Sequence, residues 1–482
     1  MGTELARLGG VLGGAGLAVL LVAPARWSRL AALATWAAGA TLLALELAPS
    51  GHGRALAAAA AGSIVLAAAA GAVLLRWPWL VAFAALACVP ARIPVTVGNE
   101  EANLLLPLYG VVAGMAVALA VAILRGDPRA RELGPLAWPL AALSAWSGLS
   151  MLWTDDPRQG AIVLVAFVLP FGLLAVAIAR LEWSRRMLSW LYAQLALMAL
   201  AFAAIGVYQW LTRDVFWNPK VIVANAYAPF YRVNSVFWDP SIYGRFLVLA
   251  ILASLVLVLY GGAGRTALVA GVAIAATWIG LVVSFSQSSF AALIVGVLAA
   301  AALVWRWRAA AALGLASLAL LSVGFSAPPV RDAILDDVEA GLNKATSGRA
   351  GLVTNGAEIA LDHPLAGVGI GGFRRAYAEK TGLRGEEPKR AASHNTPVTV
   401  AAETGLPGLA LLLWLVAAGI VLPLRRASRS FAGRTSLMVA IALAAITVHS
   451  LFYNAFFEDP TTWGLLGLAA LVLAWRSSEA PA

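Results

Sequence analysis

The sequence predicts an all-α, polytopic integral membrane protein with about 12–15 transmembrane helices and one large extracytoplasmic loop. Three observations predict it. Hydrophobic residues make up 61% of the chain and charged residues 12%, against about 25% charged in an ordinary soluble domain. Apolar runs long enough to cross a bilayer recur along almost the whole length, and inside lipid only helices and closed barrels satisfy their own backbone. The arginines fall in short loops between these runs, so the net charge of +10 reads as membrane topology and not as a nucleic-acid face.

The spans follow in order. The first, 8–22, has only Arg7 as a basic lead-in and is followed by further spans, so it reads as a membrane helix and not as a cleavable signal peptide. Runs at 29–47, 55–75, 78–94 and 104–124 come next; the Ala-rich ones are weakly hydrophobic, but small residues let helices approach closely. Then come 136–152, 160–179, 188–211, 241–260, 266–284, 289–305, 309–326, 397–422, 436–455 and 461–475. Basic loops (Arg26/Arg29, Arg76, Arg125 to Arg131, Arg180 to Arg186, Arg265, Arg306/Arg308, Arg425 to Arg434) alternate with loops nearly free of Lys and Arg. By the positive-inside rule the basic set is cytoplasmic. Fifteen spans place the N-terminus outside, and 14 would reverse it. The lone Cys88 excludes an intrachain disulfide and a cysteine metal site.

Two long segments then face outward, 212–240 and 328–396, in what reads as one domain over 1–482 with no internal repeat. Residues 328–395 carry 9 acidic residues, 9 Lys or Arg and two of the four histidines. The second segment closes on Ser393-His394-Asn395-Thr396-Pro397. Thr396 suits an N-cap and Pro397 the first helical position. His394 then lies just before the positive end of a helix dipole, which favours a neutral imidazole near pH 7. Such a group can serve as a general base, or simply hydrogen-bond at a membrane surface. Upstream, Ser347-Gly348-Arg349 precedes an amphipathic helix, 352–361, that stops at Asp362-His363-Pro364. A guanidinium such as Arg349 can hold a diphosphate bidentately; a lone loop arginine can equally be solvated or ion-paired. The glycines of 367–372 have no P-loop spacing and read as a tight turn.

In the first outward segment, Arg232 leads to Asp239-Pro240-Ser241, a helix start with Asp239 as its cap, and Arg245 falls inside the next span. An arginine at membrane depth is costly unless paired or facing a wet cavity, which makes it a candidate; snorkelling is the alternative. Ser284 to Ser289, with Gln287 among them, cluster hydroxyls and an amide at an outer turn, where such residues also pack helices together. There is no metal-ligand spacing and no Walker motif. No metal and no cofactor is expected, and an activated donor would have to drive any synthesis.

Three blocks resemble the O-antigen ligase and polymerase superfamily, the proteins with a Wzy-type C-terminal domain. They are Arg232 to Arg245, the loop from Ser347-Gly348-Arg349 through Asp362-His363-Pro364 to Phe373, and His394-Asn395 followed by Glu403 to Leu409. The likeness extends over 230–460. It implies a GT-C type glycosyltransferase in the bacterial cytoplasmic (inner) membrane, with its site on the periplasmic side. Such an enzyme moves a glycan from undecaprenyl diphosphate to a hydroxyl of a glycan or glycolipid acceptor, with inversion and without metal. It implies Arg349 as the diphosphate ligand and His394 as the residue that orients or deprotonates the acceptor, with Asn395, Gln287 and Ser289 in support. One position departs: where ligases of the family carry a second arginine, this chain has Ser289, and Arg232 or Arg245 would have to replace it. A transporter or flippase for lipid-linked glycans, or a non-catalytic polysaccharide assembly protein, is the alternative reading.

Overall fold

The computed structural model describes residues 2–48, 53–97, 100–126, 133–227, 230–260, 264–305, 308, 311–312, 314–315, 348–382, 393–454 and 456–475. The expected span 309–326 and much of the loop 328–396, Ser347 included, lie outside the described residues.

The chain is all-α and polytopic. Its helices are α1 (Gly2–Val22), α2 (Arg26–Leu47), α3 (Gly53–Arg76), α4 (Leu80–Cys88), α5 (Leu106–Leu124), α6 (Ala137–Leu149) and α7 (Pro157–Ala179). After them come α8 (Arg185–Thr212), α9 (Pro219–Tyr227), α10 (Pro240–Tyr260), α11 (Arg265–Ser284), α12 (Gln287–Trp305), α13 (Arg349–Asp362) and α14 (Phe373–Thr381). The last are α15 (Thr396–Leu424), α16 (Phe431–His449) and α17 (Pro460–Ala474). Among the described residues, ten helices are long and apolar enough to cross a membrane.

Several segments differ from the sequence expectation. The run 78–94 forms only the short α4, because Pro90 cannot continue a helix. The chain then turns into a hairpin, β1 (Ile93–Val97) against β2 (Glu100–Leu104), antiparallel with Ile93 opposite Leu104. The β-branched residues Ile93, Val95, Thr96 and Val97 favour that strand. The loop 212–240 contains α9 and a tightly folded tail. The run 397–422 is not one straight helix: Gly405, at φ 71°, breaks α15 into an outer piece and a long inner one.

The bundle is held by close backbone approach where small residues meet. Gly39 of α2 faces Gly13 of α1, and Gly148 of α6 faces Gly14 of α1, with no room for a Cβ at either crossing. In lipid, where burial of apolar surface does not distinguish helix contacts from lipid contacts, this dispersion packing is a principal attraction between helices.

The two ends of the bundle differ in character. At one end arginine side chains tie helix ends together: Arg29 Nε donates to Ala23 O at 2.8 Å, Arg426 Nη1 to Trp475 O at 2.8 Å, and Arg434 Nη1 to Tyr260 O at 3.3 Å. At the other end meet the loop after α6, the tail before α10, the turn between α11 and α12, the turn after α13, the start of α15 and the segment between α16 and α17.

Candidate active site

The last of these junctions sets His394. Asn395, not Thr396, is the N-cap of α15: Val398 N donates to Asn395 Oδ1 at 3.0 Å. The cap falls one residue earlier than expected because the Thr396 hydroxyl is used elsewhere, donating to Asn454 Oδ1 at 3.1 Å. The Asn395 amide donates to Leu451 O at 3.0 Å, and Thr396 N to Ser450 O at 2.9 Å. Buried Ser393 completes the brace, since its Oγ accepts from Asn395 N and donates to Asn395 O at 2.7 Å. His394 is the residue left projecting between these anchors, and it takes a left-handed backbone conformation, φ 55°. For a non-glycine residue that conformation is uncommon and costs on the order of 1 kcal/mol or more, so the surrounding bonds must hold it.

Arg232 is set by a different clamp. Its backbone N donates to Asn225 Oδ1 at 3.0 Å, and Asn225 Nδ2 returns a bond to Arg232 O at 2.8 Å. The guanidinium reaches over the turn between α11 and α12, with Nε 3.4 Å from Ser284 O. Three residues on, Ser235 is also left-handed, and it exchanges bonds with buried Gln209 of α8 at 2.7 and 3.0 Å. Asp239 then opens α10, its Oδ1 accepting from Ser241 N at 2.6 Å.

Arg349 is the first residue of α13, preceded by Gly348 at φ 82°. It is exposed and makes no ion pair among the described residues. The helix runs to Asp362 and stops at His363, as its Asp-His-Pro ending predicts.

These pieces converge. Burial and the positive charge of Arg349 both push the His394 imidazole towards its neutral form, and the Asp239 carboxylate opposes them. Burial lowers the proton affinity of Arg232, Asp239 raises it, and the charge of Arg349 lowers it again. Arg349 therefore lies within electrostatic reach of both Arg232 and His394, and so does Asp239. An imidazole pushed towards its neutral form is equipped to take a proton, and two guanidinium groups within reach of each other are equipped to hold a polyanion.

Two expected members lie outside this group. Arg245 is 2% exposed and ion-paired to Asp459, in a layer beneath the site. Ser289 is fully buried; its hydroxyl meets Ser286 Oγ at 2.7 Å, and it adjoins a chain of bonds through Ser288 to His449 Nε2 at 3.0 Å. That network joins α10, α12 and α16 and does not open to the site. Gln287, between the buried serines, is exposed.

The glycine-rich turn is structural. Gly367, Gly369 and Gly371 all have positive φ, and the turn lies between α15 and the loop after α6. Val368 N donates to Ala402 O at 2.9 Å, and Thr154 Oγ1 to Ile370 O at 2.9 Å. The backbone amides of Gly371 and Phe373 are already taken by the buried carboxyl group of the chain's own Glu403. Sequence reading missed the second role of Asp239, because its signature as a cap accounts for it fully. It also missed Asn225, Asn454 and Asp459, whose only signal was to sit in short polar segments beside spans.

Residues 270–413 match the family model described as O-antigen ligase, the Wzy-type C-terminal domain. Over that stretch the chain is similar to the O-antigen ligase family. The matched stretch is under a third of the chain. It holds Arg349 and His394 but not Arg232, Asp239, Arg245 or Asp459. No curated protein matches the chain.

Proposed function

We propose that the protein is an extracytoplasmic, inverting, metal-independent glycosyltransferase of the bacterial cytoplasmic membrane. It moves a glycan from undecaprenyl diphosphate to a hydroxyl acceptor, in the manner of an O-antigen ligase or polymerase. The observation that carries this reading is that Arg349 lies within electrostatic reach of both Arg232 and His394, whose imidazole burial and Arg349 push towards its neutral form, at the bundle end opposite Arg29, Arg426 and Arg434.

In the proposed step the acceptor hydroxyl attacks the anomeric carbon opposite the diphosphate. Its proton passes to the His394 imidazole as the new glycosidic C–O bond forms. The bond from the anomeric carbon to the diphosphate oxygen breaks, and undecaprenyl diphosphate leaves with its charge held by Arg349 and Arg232. Two guanidinium forks are suited to that charge, and a fixed geometry makes the encounter effectively intramolecular. Arg232 is the better stand-in for the arginine that Ser289 replaces, because Arg245 is already engaged by Asp459.

A lipid-linked donor also needs room for its tail. A cavity of about 590 Å3 runs within the bundle between α4, α8, α10, α16 and α17, lined by Leu86, Leu191, Leu195, Phe246, Leu249 and other apolar residues. A wall of that kind suits a prenyl chain better than the polar path a glycan transporter requires.

The test is to incubate the protein in nanodiscs with an undecaprenyl-diphosphate oligosaccharide and follow the lipid products. Lengthened lipid-linked glycan marks a polymerase. Undecaprenyl diphosphate released only with a separate acceptor marks a ligase. Arg349→Ala and His394→Ala should insert normally and lose transfer, and full activity in both would overturn the reading.

A further inference from the structure

A second outward cavity lies at the far end of α13 from Arg349. Its volume is about 650 Å3, within the range of small-molecule sites. The helix between the two has 14 residues, so they stand about 20 Å apart. The cavity is bounded by Trp153, by Asp362 and His363 at the end of α13, by the glycine turn, and by Arg375, Glu379 and Lys380 of α14.

The lining is preorganised. The Trp153 indole is pinned, its Nε1 donating to Ala366 O at 3.0 Å while its ring packs on Trp146 at 5.8 Å between centroids. Arg375 is held by Glu379 at 3.0 Å and by Asp155 O at 2.9 Å. Lys380 is held by Asp362 at 2.9 Å and by Glu358 at 3.1 Å. The charges are almost balanced and already paired, so the cavity offers little to a free anion or a bare cation. What it offers is a fixed aromatic face beside carboxylates with acceptor oxygens to spare, and guanidinium and ammonium donors. That combination suits a neutral polyhydroxylated ligand, whose C–H face stacks on indole while its hydroxyls bridge the paired charges.

We infer that this cavity is an oligosaccharide subsite, which holds a stretch of glycan several sugar units from the point of transfer. The inference rests on the glycosyltransferase reading, and it adds a site that neither His394 nor Arg349 touches. The glycan held there is either the distal part of the donor or the body of the acceptor; both present the same chemistry.

The test uses the full-length protein in nanodiscs and, as probes, free oligosaccharides without lipid or diphosphate, released by mild acid from the host strain's lipid-linked glycan. Binding is followed by saturation-transfer NMR. Binding should weaken about tenfold in Asp362→Ala/Glu379→Ala, which removes exposed acceptors, and in Trp153→Ala. It should persist in Arg349→Ala and His394→Ala. The Asp362→Ala/Glu379→Ala variant keeps the Trp153 anchor, so it remains informative if Trp153→Ala fails to fold. In the transfer assay the same double variant should raise KM without lowering kcat. A rise for the donor identifies donor glycan, and a rise for the acceptor identifies acceptor glycan. Binding lost in Arg349→Ala but intact in both cavity variants would overturn the subsite and leave the transfer reading standing. Transfer that proceeds with no oligosaccharide binding at all would do the same. Absence of both binding and transfer would overturn both.

Discussion

Asp459 pairs with Arg245 in a buried layer under the site, and the same carboxylate caps α17, accepting from Thr461 N at 2.8 Å. The pair joins the start of α10 to the start of α17. Asp459→Asn keeps a good cap but takes the ion-pair partner from a buried guanidinium, a loss of about 3–5 kcal/mol. The melting temperature in detergent should fall markedly, and Arg245→Met/Asp459→Asn should recover most of it. Recovery of stability with transfer intact would assign Arg245 to the scaffold; recovery of stability without transfer would return it to the diphosphate.

Asn395 does two jobs for His394, capping α15 and reaching Leu451. Asn395→Ala should cost about 1 kcal/mol of stability. It should slow transfer about tenfold or more, because small displacements of a positioned group are expensive. Asn395→Asp keeps the cap and loses only the Leu451 bond, so its rate should fall between the two. Equal rates for all three proteins would show that His394 does not depend on this brace.

The acid limb of transfer should lie below pH about 6.5, the ordinary histidine value, because burial and Arg349 lower the proton affinity of His394. Arg349→Gln removes a like charge and should raise the histidine's titration point; Asp239→Asn removes an opposite charge and should lower it further. Histidine-selective NMR in nanodiscs reads both, and the two shifts must have opposite signs. The stability effect follows the same sign. As pH falls through the window between the ordinary and the lowered value, the unfolded chain takes the proton first, so the folded state loses stability there.

Glu403 ties α15 to the glycine turn through the amides of Gly371 and Phe373. Glu403→Ala should cost about 1–3 kcal/mol by leaving those donors unmet, and Glu403→Gln should cost less because it keeps an acceptor. Gly371→Ala should be at least as damaging as Glu403→Ala, since φ is 76° and a Cβ would strike the backbone of Gly160. Thermal unfolding of the three variants gives the ranking.

Restoring an arginine at Ser289 should fail. The position is fully buried against Gly244 and Ser286, so Ser289→Arg buries an unpaired charge. Membrane-inserted yield should drop sharply. Normal yield with higher transfer would mean that the site extends to this turn.

The sequence by itself determined the membrane class, the positions of most spans and the stop of α13. Each of these depends on composition, on local hydropathy or on a helix stop within a few residues. It also carried Arg349 and His394, because a family resemblance marks them in one stretch. The tertiary structure decided the rest. The short α4 and its hairpin depended on how Pro90 and a β-branched run compete with the lipid. That Arg232 joins the site while Arg245 serves Asp459 could not be read from two arginines in one segment, since their partners, Asn225 and Asp459, lie 7 and 214 positions away. Asp239 has a complete local explanation as a cap, and only the fold brings its carboxylate within electrostatic reach of Arg232 and His394. Charge acts through space, and the packing of spans far apart in sequence is what makes that space short.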